Sequence, residues 1–250
     1  LLCGELSLKL GDAAGAARCL DTALAKEPDN AAARAMLGES FIRLGATEKG
    51  LAELDAAAAA NPADPAPLRR AGRLLEGMGR HREALERYAK ILGTAPRDTE
   101  ALIATANVHL ALGELDQART IALSLVGTPV QESMGQYVIG RIALVQRQNE
   151  EAVLALARAT RLDPRHGAAW AALGDAYLAL NDGAKAREAL DKAAALPGVD
   201  SGVLRRLAEL ESRAGRHAPA LAALERAIAL EPADAELRLA QARTLAALTR

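Results

Sequence analysis

Aromatic side chains are scarce in this chain, which holds one Trp, three Tyr and one Phe among its 250 residues. A core with so few large rings must be built mainly from Ala and Leu, and such a core favours closely packed helices. Cysteine is nearly absent as well, since only Cys3 and Cys19 occur. Their spacing fits no metal-binding or redox motif, so we interpret them as two small buried apolar residues that leave the compartment open.

Neither sign of charge is in excess, because 31 basic residues face 32 acidic ones and the formal net charge is −1. Such a chain has no global field that would attract nucleic acid or an anionic membrane surface. No apolar run approaches the ~20 residues that a membrane-spanning helix needs. The sequence therefore predicts no nucleic-acid partner and no direct membrane insertion of this segment. The chain starts in mid-pattern at Leu1, so we expect it to be part of a longer protein.

What the sequence does contain is a period of 34 residues that runs through the whole chain without an insertion or deletion. Proline recurs at one place in five of the repeats and lies one residue early in two more. The regular prolines are Pro28, Pro62, Pro96, Pro164 and Pro232, and the early ones are Pro129 and Pro197. Proline cannot continue a helix, so each is expected to end a helical segment or to follow it.

Two further columns of the repeat indicate where helices begin and where they turn. Most residues of the first column are Asn or Asp, which cap helix N-termini, so each member is expected to open a helix. This column is Asn30, Asp64, Asp98, Glu132, His166, Asp200 and Asp234. The turn column is rich in Gly and Asn, which tolerate the left-handed conformation: Gly11, Gly45, Gly79, Gly113, Arg147, Asn181 and Gly215. At Arg147 we expect an irregular turn over residues 146–149, with Asn149 taking the left-handed role.

Each period reads as two amphipathic helices, shown best by the repeat that begins at Gly167. Its first helical face is Trp170, Leu173, Gly174, Tyr177 and Leu180, and its second helix restarts the pattern with Ala186, Leu190 and Ala193. One column holds mid-helix glycine five times, at Gly4, Gly38, Gly72, Gly140 and Gly174. Since Gly there costs ~1 kcal/mol relative to Ala, a packing reason is needed. We expect large residues of the second helices to fill the space, namely Leu20, Leu54, Tyr88, Leu156, Leu190 and Leu224.

This pattern resembles the tetratricopeptide repeat family, whose Trp, Leu-Gly, Tyr and Ala positions match Trp170, Leu173, Gly174, Tyr177 and Ala186. The resemblance implies an all-α fold, a right-handed superhelical solenoid of antiparallel helix pairs with about seven and a half repeats and about fifteen helices. One continuous array over residues 1–250 is expected, with incomplete first and last repeats. The repeats would begin at Ala31, Pro65, Thr99, Ser133, Gly167, Ser201 and Ala235. Those from Thr99 and Ser133 fit least well, and residues 126–130 are interpreted as a local distortion of the stack.

The resemblance also implies a function, that of a protein–protein interaction scaffold that binds an extended peptide or a partner helix in its concave groove. First helices line that groove in the family, and the corresponding positions here give the candidates Arg69, Arg73, Asn107, Tyr137 and Arg141. Arginine pairs bidentately with carboxylates, so an acidic segment is the expected ligand, with Glu39 and Asp175 repelling misplaced acids. The alternative is that these arginines are ordinary surface residues paired with Glu39, Glu76 or Asp175.

No catalytic constellation is visible, so we expect no enzyme, no cofactor and no metal. His81 and His217 hold the same place four repeats apart, too far to share a metal ion, and His109 is interpreted as a packed core residue. Two other roles stay open: a non-catalytic segment of a larger bacterial glycosyltransferase or sulfotransferase, and an assembly protein for envelope polysaccharide or pilus export. A bacterial cytoplasmic and an envelope location both stay open. The incomplete ends, with Leu237, Leu245 and Leu248 exposed, are expected to self-associate or fray.

Overall fold

The structure, a computed structural model, describes residues 1–248 as fifteen α-helices, and no strand occurs in that range. The chain divides into two compact units, Leu1–Glu114 and a second that begins at Leu115. Unit 1 contains α1 (Leu2–Lys9), α2 (Ala13–Leu24), α3 (Ala31–Arg43), α4 (Thr47–Ala60), α5 (Ala66–Gly77), α6 (His81–Thr94) and α7 (Thr99–Ala111). Unit 2 contains α8 (Leu115–Ser124), α9 (Pro129–Val145), α10 (Asn149–Leu162), α11 (Gly167–Ala179), α12 (Gly183–Ala195), α13 (Ser201–Arg213), α14 (His217–Leu230) and α15 (Ala235–Leu248). The all-α fold class is confirmed.

Consecutive helices pack as hairpins, with α1 on α2, α3 on α4 and α5 on α6 in unit 1, and α9 on α10, α11 on α12 and α13 on α14 in unit 2. The predicted capping column begins most first helices. Asn30, Asp98 and Asp200 each accept a hydrogen bond from a backbone N–H three residues ahead, at 2.8–2.9 Å. These bonds satisfy amides that have no partner inside the helix.

Helix α9 departs from the predicted frame. It begins at Pro129 and not at Ser133, because Thr128 caps it by accepting from the Gln131 N–H at 3.2 Å. Proline is well tolerated in the first turn of a helix, where its missing N–H would have no intrahelical partner. The expectations that Pro129 ends a helical segment and that Glu132 opens a helix were therefore wrong. The preceding helix α8 is correspondingly short, with 10 residues against 17 in α9.

The turn column is confirmed at all seven positions. The five glycines adopt φ of 71–81°, and Arg147 and Asn181 adopt φ of 59°. The expectation of an irregular turn at Arg147 was wrong, since Arg147 itself takes the left-handed conformation and Asn149 is the first residue of α10. The fold imposes this conformation on a side chain that does not favour it.

The glycine column is explained by close packing within each hairpin. A Cβ placed on Gly72 would lie 2.5 Å from Tyr88 Cζ, and one on Gly174 would lie 2.7 Å from Leu190 Cγ. Gly4, Gly38 and Gly140 face Leu20, Leu54 and Leu156 in the same way. Tyr88 is fully buried, and its hydroxyl donates to Glu76. Burial, reinforced by that carboxylate, raises the Tyr88 pKa.

Three expectations about single residues need correction. Cys3 and Cys19 are joined by a disulfide that links α1 to α2, with the Cα atoms 6.0 Å apart, and Cys3 is exposed. The two spacing-based interpretations failed because packing of α1 on α2 brings the side chains together. Leu237 is buried at 1% exposure. His109 is half-buried, with Nδ1 2.6 Å from a Glu114 carboxylate oxygen.

The exposure expected of Leu245 and Leu248 is confirmed. The last helix was expected to reach Thr249, which lies outside the described residues. Within residues 1–248, no helix combines the length and apolar character that crossing a membrane requires.

Candidate functional site

In unit 1, the predicted arginines lie one turn apart on α5 and meet acidic residues at the start of α7. Arg69 Nη2 lies 2.9 Å from Asp98 Oδ2, and Arg69 Nε lies 3.2 Å from Glu100 Oε2. Arg73 Nη2 lies 3.3 Å from the same Glu100 oxygen. The two predicted arginines are therefore brought together around one shared carboxylate.

The two arginines differ sharply in their surroundings. The Arg69 side chain is 21% exposed and its partner Asp98 15%, so this pair is largely enclosed. The side chains of Arg73 and Glu100 are 65% and 58% exposed. An exposed ion pair of this kind contributes only ~0–1 kcal/mol, because water screens it and two long side chains lose freedom. Arg73 is consequently the more available of the two to an external carboxylate.

Arg70 and Arg43 complete this patch by pairing with Glu39 on α3. Arg70 Nη2 lies 2.9 Å and Arg43 Nε 3.0 Å from Glu39 carboxylate oxygens. The expected alternative pairing of arginine with Glu39 therefore exists, but it is made by Arg70 and Arg43. Neither Arg69 nor Arg73 pairs with Glu39, Glu76 or Asp175 among the described residues.

Unit 2 repeats the same bridging arrangement on α13. Arg206 Nε lies 3.3 Å from Asp175 of α11, and Arg205 Nη1 lies 3.5 Å from Glu236 of α15. These pairs have the same sequence separation, 31 residues, as the pair of Arg70 with Glu39. Burial raises the pKa of Asp175, although the Arg206 guanidinium opposes that effect. Adjacent arginines at the fifth and sixth positions thus tie one first helix to those on either side of it.

The other predicted residues of unit 2 form an aromatic and cationic cluster on α9. The Arg141 guanidinium lies 5.7 Å from the Tyr137 ring centroid, a cation–π distance. The other contact of this ring is His166, with centroids 5.0 Å apart and planes tilted by 55°. The structure therefore brings Tyr137 and Arg141 together, as their spacing of four predicted.

His166 is held in place by Ser133. The Ser133 hydroxyl is buried and donates to the Ala159 carbonyl at 2.9 Å, while His166 Nδ1 lies 2.9 Å from the same hydroxyl oxygen. Because the hydroxyl proton is already donated, Nδ1–H donates to the serine oxygen. Burial lowers the His166 pKa, with the Asp163 charge acting weakly in the opposite direction. The buried hydroxyl faces a carbonyl, an arrangement that suits packing.

The five predicted residues fall into two separate surfaces. Arg69, Arg73 and the half-buried Asn107 belong to unit 1, and Tyr137 and Arg141 belong to unit 2. Sequence reasoning missed Asp98 and Glu100 as partners of the α5 arginines. A signal was available, since Glu100 is the second residue of its repeat and the family lines its groove with that position. No cluster of three metal-ligating side chains occurs within residues 1–248.

Comparison with known proteins settles the family. Two models described as Tetratricopeptide repeat match the sequence, one at residues 4–65 and 137–200 and the other at residues 75–137. The chain belongs to the tetratricopeptide repeat family. Repeats of this family typically form non-catalytic scaffolds that mediate protein interactions. No curated protein matches this chain at a significant level.

Solved structures of tetratricopeptide repeat proteins share the fold. One from Parabacteroides merdae has a TM-score of 0.72 and 17% identity, covering 97% of this chain and 96% of that chain. A thermophilic protein of Thermus thermophilus has a TM-score of 0.59 and 27% identity, covering 75% of this chain and 100% of that chain. PilF of Pseudomonas aeruginosa has a TM-score of 0.56 and 18% identity, covering 86% and 98%.

Proposed function

We propose that this tetratricopeptide repeat chain is a non-catalytic interaction scaffold that binds an extended peptide or a partner helix, with a preference for acidic segments. The observation that carries this proposal is the exposed Arg73, which shares the single carboxylate of Glu100 with Arg69. Around it, four arginines on α3 and α5 meet only three acidic partners, which leaves the patch with a positive excess.

A ligand carboxylate can take the place of Glu100 at Arg73 for little energy. The existing pair is mostly exposed and worth at most ~1 kcal/mol. A ligand that also covers the patch would pair with Arg73 in a drier setting, where a hydrogen bond to a charged group is worth roughly 1.5–3 kcal/mol. Arg69 is held by Asp98 and is assigned a supporting role, as a fixed positive charge beside the ligand.

The surface of unit 2 offers a different type of contact. Tyr137 presents an aromatic ring that is fixed by His166 on one side and by Arg141 on the other. Stacking limits the conformations of Arg141, so less freedom is lost when its planar guanidinium pairs with a carboxylate. An acidic residue next to an apolar one would suit this surface, and Asn107 in unit 1 is assigned the role of a neutral donor.

The proposal is tested by fluorescence anisotropy with labelled acidic peptides. The double variant Arg73→Glu/Arg141→Glu is expected to bind them at least tenfold more weakly than the wild type, since each lost charge-assisted bond is worth about a factor of ten. The matched control is Arg97→Glu/Arg158→Glu, which makes the same charge change at two exposed arginines outside these surfaces. Equal affinity of the first double variant and the wild type, or binding of basic peptides alone, would refute the proposal.

We also propose that the chain of 250 residues self-associates through its two ends. Helix α1 exposes Leu2 and Leu6, followed by Leu10 at 84% exposure. Helix α15 exposes Leu239, Leu245 and Leu248. Exposed leucines grouped on one short helix favour contacts between molecules, because burying them removes apolar surface from water.

A further inference from the structure

An open cavity of about 530 Å³ lies within unit 2, between α13, α14 and α15. Its floor is apolar and formed by Ala208 of α13, Leu224 of α14 and Ala240 of α15. Leu239, 52% exposed, adds an accessible aliphatic side chain to the wall. This volume is within the ~300–1,000 Å³ range of ligand pockets in proteins.

The rim of the cavity carries an excess of positive charge. It includes Arg205, Arg213 and Arg243 together with the carboxylates of Glu209 and Glu236. Arg205 and Glu236 lie 3.5 Å apart and offset each other. Arg213 and Arg243 form no ion pair with any residue of 1–248, so two guanidinium groups face one remaining carboxylate.

We infer that this cavity is a docking site for a peptide segment in which acidic and aliphatic residues alternate. The carboxylates would pair with Arg213 and Arg243, and an aliphatic side chain would lie on the floor against Leu239 and Leu224. Charge complementarity selects the acidic residue and the apolar floor selects its neighbour. The rim glutamates disfavour groups that carry several negative charges, so a peptide suits the site better than a phosphate-rich ligand.

The inference rests on the scaffold role proposed above, but it uses neither Arg73 nor Arg141. These residues and the cavity arginines can therefore be tested separately on the full chain. Arg213 and Arg243 are exposed, and replacing them removes no intramolecular ion pair within the described residues. Their substitution is accordingly expected to leave the circular dichroism spectrum and the thermal midpoint close to those of the wild type.

The experiment uses three end-capped, fluorescein-labelled peptides of equal length, with alternating Asp and Leu, alternating Lys and Leu, or alternating Asp and Ser. We expect the Asp–Leu peptide to bind most tightly, by at least about tenfold over each of the other two. Arg213→Glu/Arg243→Glu is expected to weaken its binding by more than about tenfold. Leu239→Ala should weaken it several-fold, and the control Arg97→Glu/Arg158→Glu should leave it unchanged.

Each outcome bears on one of the two proposals. Loss of Asp–Leu binding in Arg213→Glu/Arg243→Glu, with retention in Arg73→Glu/Arg141→Glu, supports the cavity as the docking site. Retention in the cavity variant with loss in the other overturns this inference and leaves the scaffold proposal standing. Equal binding of the Lys–Leu peptide, or no binding of the Asp–Leu peptide, overturns the inference as well.

Discussion

A glycine on one helix and a large residue sixteen positions later on the next set the spacing of several hairpins. This contact was predictable, because glycine recurs in a column where it disfavours the helix. The φ values of the turn column were predictable in the same way from Gly and Asn. At Arg147 the prediction failed, because it weighed only the preference of that residue. Packing of α9 against α10 fixes the length of the turn and overrides that preference.

Adding one methyl group should distinguish a packed glycine from an open one. Gly72→Ala places its Cβ 2.5 Å from Tyr88 Cζ, and we expect a loss of about 1–3 kcal/mol in the free energy of unfolding. The control is Gly93→Ala in α6, where nothing lies within 4 Å, and a gain of up to ~1 kcal/mol is expected. Urea denaturation measures both, and a Gly72→Ala protein as stable as the wild type would disprove the packing account.

A third residue-scale prediction concerns pH. The pKa of His166 is lowered below its ordinary value of 6.5 by burial. Above that value the stabilising effect of the neutral ring is fully present. As the pH falls below it, the unfolded chain binds a proton that the folded chain resists, so stability declines. His166→Asn should therefore lose less stability than the wild type between neutral and mildly acidic pH, measured by urea denaturation. Tyr137→Phe, which keeps the imidazole, should retain the wild-type decline, and identical declines in all three proteins would contradict the account.

Among the elements, the first helices are joined by ion pairs that sequence reasoning did not find. The acids at the ninth position were predicted to repel ligands, yet Glu39 and Asp175 are paired with Arg70 and Arg206. Pairing depends on side-chain conformations and on which helices are neighbours, and a helical period shows only which residues share a face. The early start of α9 was hidden for a related reason, because proline both ends and begins helices.

Asp98 is the element-scale residue that joins two roles. One carboxylate oxygen accepts from the Ala101 N–H at 2.8 Å and caps α7, while the other meets Arg69. Asp98→Ala removes both contacts and should lower the free energy of unfolding by about 1–2 kcal/mol or more. Asp98→Asn keeps a good capping group without the charge, so its loss should be clearly smaller. Thermal unfolding would show this order, and equal losses would mean that the cap contributes little.

At the scale of the whole molecule, the composition decided the fold class. Few aromatics, abundant Ala and a constant period predicted a repeat of helix pairs, and the helices and family models confirm it. The binding surfaces were harder to predict. Arg69 is identified from its column alone, but only the structure shows that Asp98 holds it. The column gave no sign of the cavity between α13 and α15, because a cavity depends on how far two helices are separated.

Exposed leucines at the two ends predict concentration-dependent association of the chain. We expect the weight-average mass from static light scattering to rise with protein concentration. Replacing Leu6 and Leu10 together with Gln should reduce this rise, because both side chains are exposed and contribute to no described core. A mass that stays at the monomer value of 26.1 kDa at all concentrations would contradict the prediction.

The central claim is that this tetratricopeptide repeat chain selects acidic peptide segments through exposed arginines. The most direct test is an unbiased array of short peptides, probed with the labelled wild-type chain at two salt concentrations. The account predicts that the strongest spots are rich in Asp and Glu next to aliphatic residues, and that they weaken at the higher salt. Strong spots that are basic, or that show no relation to charge, would contradict it.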